Sequence, residues 1–239
     1  RTLIAMKRAY PKRVTLILGN RDVNKMRFTS ELAETELSDE ALDDVPGPYW
    51  DPKAPSPAEY LRKMVVAEQS KAAAESNAAE GETEVSEEQI SQANTLVNRL
   101  KWMLKHTMGS DGDLQRRALE LGYIKKLAGE SEGEPVSEEE AARSFVASVS
   151  DGGMMTELLD LGELAVIIGS SLFVHGGIIG NGFRNGEDTV VGFVPGHWWR
   201  YEEVDEWVKQ LNMWKDQEIA QWIAEPKWRP GARHAAREW

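Results

Sequence analysis

The sequence contains no cysteine, which excludes disulfides, thiol nucleophiles and metal centres held by thiolates. No apolar run approaches the roughly 18 residues that a membrane-crossing helix requires. Histidine is scarce, with four in 239 residues. Any imidazole chemistry must therefore come from His106, His175, His197 or His234. Basic residues are the minority, since 28 Lys and Arg against 40 Asp and Glu leave a net charge of −12. A chain so charged lacks the electrostatic footprint of a nucleic-acid or anionic-membrane binder. Neither nucleic acid nor a membrane is expected as a partner. The chain opens on Arg1 and not on Met, so its start reads as missing and the compartment is not legible. A soluble, cytoplasmic protein is the default expectation.

Among what is present, residues 14–22 (VTLILGNRD) stand out. Val14, Leu16, Ile17 and Leu18 suit a short buried strand. Gly19 ends the run, and Asn20, Arg21 and Asp22 follow at once. In open α/β sheets ligands bind beyond the carboxyl ends of strands, which makes this polar cluster a candidate site. A plain Gly-Asn turn with a solvated Arg-Asp pair is the competing reading. Residues 164–179 (LAVIIGSSLFVHGGII) repeat the arrangement. Leu164–Ile168 and Leu172–Val174 flank Gly169-Ser170-Ser171 as in an antiparallel hairpin, and the second run ends in His175-Gly176-Gly177. A lone histidine there could equally be a hydrogen-bonded turn residue.

The ordered pair, GN(R)D after one strand and VHGG after another, resembles the calcineurin-like metallophosphoesterase superfamily. That family's blocks run DxH, GDxxD, GNH(D/E), VHGG and GHxH. The resemblance covers two of the five, so the chain is expected to be a fragment lacking the first two blocks and the last. It implies an α/β fold, part of a four-layer α/β/β/α sandwich. It also implies hydrolysis of phosphomonoesters or phosphoanhydrides by water activated between two divalent ions (Mn, Fe or Zn). By resemblance Asn20 and His175 are metal ligands, with Gly176 and Gly177 letting the backbone turn closely behind the imidazole. The substrate would be a phosphorylated protein, a nucleotide or a dinucleoside polyphosphate. Arg21 stands where the family most often has a histidine proposed as the general acid. An arginine stays protonated and cannot donate that proton, but it can grip a phosphate oxygen bidentately. Asp22 is then expected to hold Arg21 in place. Two ligands rarely hold two ions, so the chain by itself is expected to be inactive or nearly so. The alternative is a non-catalytic interaction module with a decayed metal site and an acidic, partner-binding insertion. Its oligomeric state is not legible.

His175 follows Asn20 by 155 residues, farther than the family's usual spacing, which implies an insertion. Four segments are expected: a core α/β piece at 1–37, an acidic helical insertion at 38–152, a second core piece at 153–228, and a flexible tail at 229–239. Thr2–Tyr10 reads as the end of an amphipathic helix stopped by Pro11, and residues 23–37 as a further helix. The insertion opens on a loop, since five of the ten prolines lie within Leu42–Pro57 with Tyr49 and Trp50 as possible anchors. Ser56, Ser86 and Ser137 each precede a Glu or Gln by three residues, the signature of a capping box. The helix after Ser86 carries Ile90, Leu96, Val97, Leu100, Met103 and Leu104 as an apolar stripe. Two acidic runs, Glu75 to Glu88 and Glu130 to Glu140, read as solvated helix starts and loops.

Gly180–Gly192 reads as a loop, and residues 202–224 as a long helix with Val204, Trp207, Val208, Leu211, Trp214, Ile219 and Trp222 on one face. Seven of nine tryptophans fall at 198 or later, and they are expected to pack that helix against the sheet. His197 follows His175 by 22 residues and lacks the second histidine of a GHxH block, so it is a weak ligand candidate. His106 and His234 are expected at the surface.

Overall fold

The computed structural model describes residues 1–38, 42–43, 45–48, 50–75, 85–176, 178 and 191–226. Tyr49, Glu80, Glu82, Glu84, Gly177, residues 180–190 of the glycine-rich loop, His234 and the 229–239 tail lie outside the described residues. In chain order the elements are α1 (Thr2–Ala9), α2 (Asn20–Val23), α3 (Arg27–Glu31), α4 (Pro57–Glu75), α5 (Glu87–Ala93) and α6 (Leu96–Trp102). They continue with α7 (Asp113–Leu127), α8 (Glu138–Val149), α9 (Met154–Leu161), β1 (Ala165–Ile168), β2 (Ser171–Val174) and α10 (Val204–Ala224). Helix accounts for 58% of the structure, beside a two-stranded antiparallel sheet. That mixture is compatible with the expected α/β class, but the described residues do not form a four-layer sandwich.

The described residues divide into two compact units, one of 1–26 with 148–226 and one of 27–147. In the first unit α1 ends just ahead of Pro11, whose ring cannot continue a helix. The apolar run that follows is a shorter ladder than expected. Ile17 bridges Glu163 in parallel, the Leu18 amide donates to the Glu163 carbonyl at 2.9 Å, and the Glu163 amide to the Leu16 carbonyl at 2.8 Å. A turn at Arg13 and Val14 bounds it on one side and α2 on the other. Leu16 and Leu18 are buried as the pattern requires.

The hairpin is close to expectation. Ala165 pairs with Val174 and Ile168 with Ser171, and Gly169 takes a φ of 63° at the turn, where a side chain would be strained. Helix α10 spreads its apolar face over two clusters. Trp207 and Val208 join Ala165 and Val194, with Leu211 and Trp214 alongside. Farther along, Ile219 and Trp222 pack with Leu18, Met26 and Leu159.

Two expectations need correction here. The helix expected at 23–37 begins earlier and breaks into α2, a 3₁₀ turn at Asn24–Met26 and α3, followed by turns. The break coincides with the change of unit after Met26. Met26 packs with Leu18 and Leu159, whereas Phe28 meets Phe145 edge-on in the second unit. The tryptophans also divide. Trp207, Trp214 and Trp222 pack on α10's clusters, but Trp198 is 88% exposed and Trp199 also reaches the surface. Those two indoles stand in an aromatic group with His197 and Tyr201, on a segment turned by positive-φ glycines at 192 and 196.

The second unit is helical and begins its helices as the sequence indicates. Ser56 and Glu59 exchange side-chain-to-amide bonds of 3.2 and 3.0 Å, Ser86 and Gln89 do the same, and the Ser137 hydroxyl accepts from the Glu140 amide at 3.1 Å. The stripe after Ser86 is not one helix. Thr95 accepts from the Asn98 amide and caps a fresh start, so the stripe divides between α5 and α6, and a π-helical turn at Met103–Thr107 follows. Leu42, Ala58, Leu61 and Ile90 form one core cluster. The Trp102 indole is buried and donates to the Pro55 carbonyl at 2.9 Å. In the second acidic run Glu138, Glu139 and Glu140 pair with Lys101, Arg143 and Lys125.

Candidate functional site

Asn20 and His175 meet. The Leu16–Leu18 ladder ends at Gly19, which delivers Asn20 as the first residue of α2, and β2 ends at Val174, which delivers His175. The imidazole Nε2 lies 3.1 Å from the Asn20 side-chain oxygen across 155 residues of sequence. Both side chains are solvent-exposed. Gly19 explains how the ring comes so near the backbone. A Cβ there would stand 2.8–2.9 Å from three atoms of the imidazole, so a larger residue would displace the ring.

Two side chains from α10 fix the segment that joins these strand ends. The Asn212 carbonyl oxygen accepts from the Leu164 amide at 2.8 Å, and its Nδ2 donates to the Ala165 carbonyl at 2.9 Å. Lys215 is buried, and its ammonium donates to the carbonyls of Leu159 at 3.2 Å and Gly162 at 2.8 Å while pairing with Asp216. The Leu159 and Gly162 carbonyls lie at the C-terminal end of α9, where unpaired carbonyls favour a cation. From this clamped stretch Glu163 reaches the strand before Asn20, and Ala165 pairs with Val174 before His175. The sequence reading missed both residues. The available signal was a polar side chain directly following Leu211 and Trp214 on an otherwise apolar helix face.

Arg21 and Asp22 do not form the pair expected of them. The Asp22 carboxylate turns back to accept from the Gly19 amide at 2.9 Å, as the third residue of a helix does at its cap. That bond starts α2. The Arg21 guanidinium is exposed and enters no ion pair among the described residues, while its backbone carbonyl accepts from Lys25 Nζ at 2.9 Å. His197 is engaged by aromatics. Its Nδ1 lies 2.9 Å from the Tyr201 hydroxyl, and its ring stacks on Trp199 at 4.6 Å between centroids and 21° between planes. His106 is half-buried, not at the surface, and stands edge-on to Tyr60 at 5.6 Å. Burial pushes its pKa down, with Lys105 adding to the effect.

Asn20 and His175 offer one oxygen and one nitrogen, two donor atoms where a metal ion takes four to six. Adjacent ligands of an octahedral ion at about 2.1 Å lie about 3.0 Å apart, which matches the 3.1 Å between the two donor atoms. Among the described residues no group of three or more His, Asp or Glu stands where it could hold a metal ion. No protein-family model, curated protein or solved structure matches the chain.

Proposed function

We propose that this chain carries part of a calcineurin-like, metal-dependent phosphoesterase site for phosphomonoesters or phosphoanhydrides, with Asn20 and His175 as two of its metal ligands. The observation behind the reading is the 3.1 Å approach of these two side chains at neighbouring strand ends. A neutral oxygen and a neutral nitrogen leave a bound ion most of its charge, and Gly19 leaves the imidazole room beside the backbone. Two such ions, when bound, would activate a bridging water and clamp the phosphoryl oxygens. Arg21, exposed and in no ion pair among the described residues, can meet a phosphate oxygen. It supplies no proton, so leaving groups that need little protonation fit best. The four-layer sandwich belongs to this proposal as the fold of the whole enzyme.

The test is a titration of Mn²⁺ into the chain, read by the NMR signals of the His175 ring. Mn²⁺ should broaden those signals selectively at ion concentrations that leave His106 and His197 sharp. Replacing either ligand should weaken the effect by at least the ~10–100-fold known for outer-shell partners. Unchanged His175 signals, or equal metal binding by an Asn20→Ala/His175→Ala variant, would defeat the proposal. The non-catalytic module would then stand in its place.

A further inference from the structure

Ser86, Ser131 and Ser137 share a sequence setting. Glu87 and Glu88 follow the first, Glu132 and Glu134 the second, and Glu138, Glu139 and Glu140 the third. A hydroxyl followed by acids is what an acidophilic protein kinase reads, because its substrate groove carries the complementary basic charge. The structure separates the three serines. Ser86 and Ser137 cap helices, their hydroxyls accepting from the Gln89 amide at 3.3 Å and the Glu140 amide at 3.1 Å. Carboxylates beside them are engaged as well: Glu87 with Arg62, Glu138 with Lys101, Glu139 with Arg143 and Glu140 with Lys125. A kinase would have to open a helix start and break these pairs to reach either hydroxyl.

Ser131 stands in the connection between α7 and α8, where residues 128–137 form neither helix nor strand. The connection is fastened to α7 on either side of the serine. The Glu130 amide donates to the Lys125 carbonyl at 2.9 Å, and the Val136 amide to the Ala118 carbonyl at 3.1 Å. Between these anchors the half-exposed Ser131 caps no helix, and its hydroxyl accepts from the Gly133 amide at 3.2 Å. Glu130, Glu132 and Glu134 are exposed and enter no ion pair among the described residues. Lys126 is likewise exposed and without an ion pair among them. Its stem lies against Gly133, where an added Cβ would stand 2.9 Å from the Lys126 Cδ.

We propose that Ser131 is a phosphorylation site for an acidophilic serine kinase, and that the fold selects it over Ser86 and Ser137. Ser131 Oγ attacks the γ-phosphorus of a nucleoside triphosphate. The new O–P bond forms as the bond to the diphosphate breaks, the diphosphate leaves, and the hydroxyl proton passes to the kinase's catalytic aspartate. The carboxylates at 130, 132 and 134 face the kinase's basic groove, and the chain's net charge of −12 favours the encounter. The product gains about 1.5–2 negative charges at neutral pH. Lys126, already lying against the same tip, supplies the cation that pairs with the phosphate and ties the tip to α7.

The test is a time course of the folded full chain with casein kinase II and magnesium ATP, with the sites mapped by tandem mass spectrometry. Ser131 should take phosphate first, at least about fivefold faster than Ser86 or Ser137, whose helix caps must open. Glu134→Gln should slow the reaction about twofold to fivefold, the worth of one exposed ion pair with the groove. Ser131→Ala should remove the first phosphate while its circular dichroism melt matches that of the parent chain. Lys126→Gln should move the phosphoserine signal in phosphorus NMR. No phosphate at Ser131 would overturn the proposal, and so would earlier phosphorylation of Ser86 or Ser137, or a rate indifferent to Glu134→Gln. An unmoved phosphorus signal would overturn the pairing with Lys126.

Discussion

The two units fix side chains in space with a different emphasis, although the second also has distant bonds, such as Trp102 to the Pro55 carbonyl across 47 residues. The second unit begins its helices with bonds between residues three apart, at Ser56, Ser86 and Ser137. The first unit takes its defining contacts from far along the chain: Asn212 to Leu164 across 48 residues, Lys215 to Gly162 across 53, and Asn20 to His175 across 155. Local bonds set where a helix starts. Distant bonds set where two strand ends meet, and a site can be built only from those.

The largest expected effect tests whether core packing serves the two units differently. Leu18 and Leu61 are both buried leucines, and truncation of either to alanine should cost about 2–5 kcal/mol in urea unfolding. Only Leu18→Ala should also separate Asn20 from His175, seen as a shift of the His175 ring signals. An equal shift from Leu61→Ala would erase the distinction.

A middle-sized effect sets one distant bond against one local bond. Asn212→Leu leaves the Leu164 amide and the Ala165 carbonyl without their partner, which should cost about 1–3 kcal/mol. Ser86→Ala removes a single cap and should cost about 1 kcal/mol. The asparagine variant should disturb the His175 ring and the serine variant should leave it unchanged, which two-dimensional NMR of both will decide.

The smallest effect concerns His106 in the second unit. Burial, then Lys105, lowers its pKa in the folded chain, so the unfolded chain binds the proton more readily. Its contribution to stability is therefore complete above the ordinary imidazole pKa of about 6.5 and fades as pH falls below that value. His106→Gln should flatten the acid side of the stability curve, measured by denaturant midpoints between about pH 7 and 5. A parallel curve would show that the ring is not desolvated as described.

What the sequence revealed follows the same division. The capping serines, the stop at Pro11, the glycine turn of the hairpin and the amphipathic α10 are local patterns, readable from a few neighbouring residues. Asn20 and His175 were legible as polar residues ending apolar runs, although nothing local indicated that they would touch. Asn212 and Lys215 were not legible. Their role depends on which carbonyls and amides of residues 159–165 face α10, and no periodicity encodes that. The Asp22 bond to Gly19 is also local, a cap contact between residues three apart that an Arg-Asp pairing on the motif does not reveal. The separate fates of Trp198 and Trp207 follow from turns at Gly192 and Gly196 that composition alone does not locate.

The Asn212 side chain has a further consequence, for hydrogen exchange and aggregation. Its amide presents one acceptor and one donor to β1's outer edge, as a peptide group of a neighbouring strand would. The edge at Leu164 and Ala165 is thereby occupied, and an incoming strand from another chain finds those groups taken. The Leu164 amide is shielded only while α10 is docked. Its deuterium uptake is thus a clock for the departure of that helix, and α10, the hairpin and the His175 end of the site should open as one cooperative unit.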